Sequence, residues 1–193
     1  MTTKQLPRTI VNPTHGYSVT FVVSGSENGN AYTIVEVTLP PGEGTGKHYH
    51  LDFTEEFEAL EGILGITLGK TIIHLSPGDA PALVPVKAVH RFFNPGNAPV
   101  RFRCRITPAR RFEKLLRIIY GLGDDGLLKP NGMPKSILHL ALIYEIGESY
   151  LPGMPLGLQR GVFGIIARIA RRRGKDKELE KYYTGIIEAY KAI

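Results

Sequence analysis

With 193 residues, 42% of them hydrophobic and 22% charged, the sequence has the make-up of a soluble globular chain long enough to bury its own core. Its single cysteine, Cys104, excludes a disulfide framework within the chain and fits a reducing compartment. The net charge of +6 is uneven: residues 1–109 carry nine Lys/Arg and nine Asp/Glu, whereas residues 110–193 carry fifteen and nine, so any attraction to anionic surfaces belongs to the C-terminal part.

The first stretch, MTTKQLPRTIVNPTHG, lacks the apolar core of a secretory signal, and no run of about 18 uncharged apolar residues follows it anywhere. A soluble, cytoplasmic protein is the expectation. YSVTFVVS (17–24) and AYTIVEVTL (31–39) alternate with period two, placing Thr33, Val35, Val37 and Leu39 on one face of a strand. The residues between them, SGSENGN, are turn formers. ILGITLGKTIIHL (63–75) reads as a hairpin turning at Gly69-Lys70, where glycine tolerates positive φ. VRFRCRI (100–106) sets Val100, Phe102, Cys104 and Ile106 inward and Arg101, Arg103 and Arg105 outward. Short strands punctuated by Pro and Gly argue for an all-β sandwich or barrel over residues 1–109.

Pro108 marks a change of period. Helices are expected over 111–120, over 134–146 with Pro134 in its first position, over 155–174 with Gly174 closing it, and over 178–190. The chain therefore divides into a β domain, 1–109, and a helical extension, 110–193. In the third helix Val162, Ile165, Ile166 and Ile169 share a face, and arginines crowd its last turn. The other helices also need an apolar partner, so that face is expected to pack on the barrel or on a second subunit, with the arginines in water. Attachment to an anionic membrane surface is the alternative. No nucleic-acid recognition motif appears, and the arginine stripe of 101–105 is what an outward strand face looks like.

GKHYHLDFTEEFEALEG (46–62) concentrates chemistry. Residues two apart on a strand share a face, so His48 and His50 point the same way. Glu55 shares its face with Phe57, and Glu56 and Glu58 take the other, which makes Glu55 the inward carboxylate. Further on, His90, Phe92 and Asn94 share a face. Three imidazoles and one carboxylate suit a divalent first-row metal: iron, manganese, nickel, copper or zinc. His74 and His139 pair with nothing by spacing and read as structural or exposed. Tyr49 should face away from the ligands, and Cys104 should be an inert core thiol.

The order Gly42, His48-Tyr49-His50, Glu55, Gly62, followed by Gly78, Pro85, His90 and Asn94, resembles the paired motifs of the cupin superfamily over about residues 30–106. Two departures lie in the turn before His90: Lys87 stands where the family usually has glycine, and one extra residue separates Gly78 from Pro85. The resemblance implies a mainly β, cupin-type barrel or jelly roll with a C-terminal helical extension, and a metal held by His48, His50, Glu55 and His90. It implies a metal-dependent enzyme acting on a small organic molecule, with a dioxygenase-type oxidoreductase as the leading subclass if the metal is iron. Phe57 and Phe92 read as cavity wall, and Lys87 reads more readily as a solvated turn lysine than as a group at the cavity mouth that attracts an anionic substrate. The alternative is a non-catalytic ligand- or metal-binding module whose helical tail mediates assembly. Homodimerisation is expected because cupins often dimerise.

Overall fold

The computed structural model describes residues 4–190. Four strands come first: β1 (Gln5–Leu6), β2 (Thr9–Val11), β3 (Ser18–Val23) and β4 (Thr33–Leu39). The middle of the chain supplies β5 (Tyr49–His50), β6 (Thr54–Glu61), β7 (Leu64–Leu68) and β8 (Thr71–Leu75). After β9 (Ala82–Val84), β10 (His90–Phe93) and β11 (Val100–Thr107), helices take over: α1 (Phe112–Asp124) and α2 (Ile137–Gly147). A short strand β12 (Ser149–Tyr150), α3 (Leu156–Arg172), α4 (Lys175–Tyr183) and β13 (Ile186–Ile187) complete the described chain.

Six strands form one sheet in the order β2-β3-β4-β11-β6-β9, and β10-β7-β8 form a second. Their inner faces share one core, in which Phe21, Val35, Leu39, Phe57, Phe102 and Ile106 from the larger sheet meet Leu64 and Ile66 from the smaller. Among the described residues these sheets do not close into a single hydrogen-bonded ring, so the β part is a two-sheet jelly roll and not a closed barrel. Alternation places the core as expected. Thr33, Val35, Val37 and Leu39 are buried, as are Val100, Phe102, Cys104 and Ile106. On the outer face Arg103 lies opposite both Glu36 and Glu58 and bonds them at 2.7 and 3.0 Å, a cross-strand pairing that pins the register of three strands. The β7–β8 hairpin turns at Gly69, whose φ of +60° needs no side chain in the way.

A second core, containing Ile118, Leu122, Leu142, Ala167, Ala170 and Leu179, lies between the helices. Three expectations change here. The second helix starts at Ile137, not Pro134, because Ser136 accepts from His139 N and caps it, while Pro134 is drawn into a bridge with Leu128. The last helix stops at Tyr183, since the β-branched pair Ile186-Ile187 is taken up as a strand parallel to β1. Residues 1–3 and 191–193 lie outside the described residues. Among the described residues the barrel does not cover the apolar face of α3: Val162, Ile165 and Ile169 are exposed and Ile166 is half-buried. What α3 buries is the neighbouring face, through Gln159, Ala167 and Ala170, where small alanines permit close approach to the other helices.

Candidate metal centre

Strand pairing gathers the four groups. His48 precedes β5 and forms a reciprocal backbone pair with His90 at the start of β10, His48 N to His90 O at 3.0 Å and His90 N to His48 O at 2.8 Å. This close pairing brings their imidazole centroids to 4.3 Å. His50, two residues on, stands 4.8 Å from His48 and 5.3 Å from His90, ring to ring. Glu55 comes from β6, between Ile106 of β11 and Val84 of β9, and its buried side chain enters the same space. Ligand-type atoms of all four residues lie within 4.8 Å of one another. His48 is the partly exposed member, and the other three are buried.

The backbone fixes the three imidazoles. His48 Nδ1 lies 2.8 Å from the Gly46 carbonyl, His90 Nδ1 3.0 Å from that of Ala88, and His50 Nδ1 3.2 Å from that of Glu148. A carbonyl can only accept, so each Nδ1 carries a proton; a neutral ring then presents its Nε2 lone pair, whereas His90 Nε2 faces Glu55 and bonds it as a protonated donor. Such outer contacts are what orient metal-binding histidines. Phe53 stacks on His50 at 4.0 Å and holds its ring plane. Glu55 Oε2 sits 2.7 Å from His90 Nε2 and 3.5 Å from His50 Nε2, but His50 Nε2 is buried with no hydrogen-bond partner.

Electrostatics follow from the crowding. Burial pushes the His48 imidazole down to about 4, with the Glu55 carboxylate opposing and His90 and His50 adding to the fall, so His48 is neutral at ordinary pH. Burial alone would raise the Glu55 carboxyl, but the His50 and His90 imidazoles beside it outweigh that and hold Glu55 well below the usual carboxylate range. Burial would lower His90, and the bond to Glu55 raises it instead. A buried carboxylate facing three imidazoles, one of them with an unanswered nitrogen, fits a divalent first-row cation. His48, His50, Glu55 and His90 are the residues that would hold it.

The remaining sequence candidates fall around this cluster. Phe57 is sealed in the core 5.9 Å from the half-buried Phe92, and both rings pack on Phe102. Lys87 has an exposed side chain, while its backbone N–H bonds the His50 carbonyl at 2.6 Å. Its φ of +67° shows why a glycine is usual there: the turn demands a left-handed residue, and the lysine adopts it. Tyr49 turns from the cluster toward Tyr150, 5.6 Å away. His74 is exposed, His139 is buried beside Glu178, and burial drives the Cys104 thiol far up.

The sequence reading missed the contribution of the helical segment. Glu148, the left-handed residue (φ +49°) that ends α2, supplies the carbonyl on His50, and β12 immediately after it pairs with β5. Its buried carboxylate is gripped by Arg110 at 2.8 and 2.5 Å and approached by Arg111 at 3.4 Å. A cleft of about 300 Å³ lined by Asp52, Arg110, Tyr144, Tyr150 and Arg160 adjoins this clamp. No spacing rule signals a backbone acceptor 98 positions away.

Residues 35–106 match the family model described as a cupin domain. The curated Oxidoreductase OpS7 of Beauveria bassiana (strain ARSEF 2860) is 33% identical over 72 residues, 33% of this chain and 24% of that protein. The match thus spans about a quarter of that relative's length. Among solved structures, a predicted oxalate decarboxylase of Thermotoga maritima aligns with a TM-score of 0.47 at 21% identity, covering 56% of this chain and 99% of the other. A cupin-superfamily sugar phosphate isomerase of Silicibacter pomeroyi aligns with a TM-score of 0.44 at 26% identity, over 51% and 63%. A cupin-2 domain of Rhodospirillum rubrum gives 0.42 at 20%, over 47% and 59%. Among the described residues no helix is long and apolar enough to cross a membrane.

Proposed function

Since residues 35–106 place this chain in the cupin superfamily, we propose that it is a metal-dependent cupin acting on a small organic molecule, with a dioxygenase-type oxidoreductase as the specific activity. The observation that carries the reading is the set of three imidazoles with Nδ1 tied to carbonyls and Nε2 converging beside Glu55. A partial relative that bears the name oxidoreductase supports the broader oxidoreductase class. When bound, a divalent ion, iron first among the candidates, supplies Lewis-acid and redox chemistry at positions its four protein ligands leave open. The chain's own groups do the rest. Gly46, Ala88 and Glu148 keep the imidazoles in one tautomer, and Glu55 supplies the balancing negative charge. Phe53 gives the site an apolar wall against His50, and the partly exposed His48 marks the side open to solvent.

The test is elemental analysis of the purified chain beside His48→Ala, followed by oxygen uptake with phenolic and diketone compounds. Stoichiometric metal in the native chain, lost in the variant, with uptake on at least one compound, is the expected result. Stoichiometric metal without turnover on a broad panel assigns the site to binding instead. A native chain that takes up no divalent ion overturns the proposal.

A further inference from the structure

The face that α3 leaves uncovered is a continuous apolar stripe. Leu158, Val162, Ile165 and Ile169 are spaced four, three and four residues apart, so they lie in one row, and they are 55, 45, 58 and 39% exposed. Leu151 and Met154, in the loop before the helix, are exposed as well. This is a fixed surface and not a frayed one. The neighbouring face of α3 is locked down by Gln159, fully buried, whose amide bonds Tyr144, Leu151 and Met154, and by Ala167 and Ala170 in the helical core.

The charges beside the stripe select its occupant. Residues 156–173 contain five arginines, at 160, 168, 171, 172 and 173, and no acidic residue. All five are exposed, and only Arg171 is held by an acid, Glu145, among the described residues. At 100° per residue Arg172 lies about 20° beyond Ile165 and Arg168 about 60° beyond it, both along one edge of the stripe and within reach of whatever covers it. A second copy docked stripe to stripe would set five arginines against five. An anionic lipid surface instead takes the aliphatic row into its acyl boundary and the guanidinium groups among its headgroup phosphates. We propose that α3 is a membrane-surface anchor: it lies in the interface of an anionic bilayer on Leu158, Val162, Ile165 and Ile169, with Arg168 and Arg172 on the headgroups. The metal-ligand cluster takes no part in this contact.

Co-sedimentation of the full chain with phosphatidylserine-containing and pure phosphatidylcholine vesicles tests it. The native chain should pellet with the anionic vesicles only, and raising salt to several hundred millimolar should release it, as the headgroup attraction is screened. Ile165→Asn removes one exposed aliphatic side chain and should weaken binding about tenfold. Arg168→Gln with Arg172→Gln should weaken it and flatten the salt dependence. Both changes are on exposed positions, and circular dichroism checks that each variant remains folded. A chain that stays in the supernatant with anionic vesicles at low salt overturns the proposal. So does binding unaffected by Ile165→Asn, or a solution dimer that Ile165→Asn dissociates while the native chain ignores vesicles.

Discussion

Replacing Arg110 by alanine probes whether the helical segment is part of the metal centre or only lies beside it. Arg110 makes two bonds to Glu148, whose side chain is 9% exposed, while Arg110 itself is 39% exposed. Removing one partner of a fully buried pair costs about 3–5 kcal/mol, and an exposed pair is worth about 0.2–1. With a buried acid, a half-open base and Arg111 still 3.4 Å away, the loss should be about 2 kcal/mol. Both residues of the clamp have left-handed backbones, φ +50° and +49°. Alanine inherits the same strain as Arg110, so the change reads the ion pair and not the turn. The carbonyl that fixes His50 belongs to Glu148, so loosening the clamp should also weaken metal affinity about tenfold, the lower end for an outer-contact loss. Urea denaturation of the metal-free chain measures the first effect, and competition with a chromophoric chelator measures the second. A stability change under about 0.5 kcal/mol, or affinity equal to that of the native chain, would refute the reasoning.

Three further outcomes are expected. Gln159→Leu keeps the volume but strands the Tyr144 hydroxyl, the Leu151 N–H and the Leu151 and Met154 carbonyls; a loss of about 3 kcal/mol in the urea transition checks it. Lys87→Gly should stabilise by about 1 kcal/mol, because glycine takes the left-handed turn without a Cβ clash, and a lower urea midpoint would contradict this. Glu27 is held below its ordinary pKa first by its hydrogen bonds to Arg8, against the opposing pull of burial. Its contribution is therefore complete above the unfolded value of 4.5 and is lost as pH falls below it. Arg8→Met should remove that part of the acid dependence, seen by comparing urea midpoints at pH 6 and pH 3.

Parity on strands made much of this molecule readable in advance. Glu55 could be told from Glu56 and Glu58 because it shares a face with Phe57, and burial follows that division. The 63–75 hairpin turns at the glycine expected of it, and β11 alternates from end to end. Helical stretches were legible in kind but not in extent, because competing local bonds decide their ends. Ser136 captures the start of α2, and strand pairing with Gln5-Leu6 captures Ile186-Ile187. The α3 stripe could be found from spacing, but whether neighbours cover it depends on which face the alanines let approach. Least readable was the shell around the histidines. Gly46, Ala88 and Glu148 act through main-chain oxygens, which every residue has, so identity carries no mark of the role.

The parallel pairing of β1 with β13 joins segments about 180 positions apart. Lys4 O and Leu6 O receive the amides of Ile186 and Glu188, and the Arg8 guanidinium reaches the Glu188 carbonyl. Each strand has the other as its hydrogen-bonding partner in that two-stranded sheet, so the two should open as one event, and their amides should exchange with solvent at a common rate. Trimming the leader through Leu6 would therefore release a piece of chain at the far end of the sequence, and a protease acting after Tyr183 would free the beginning.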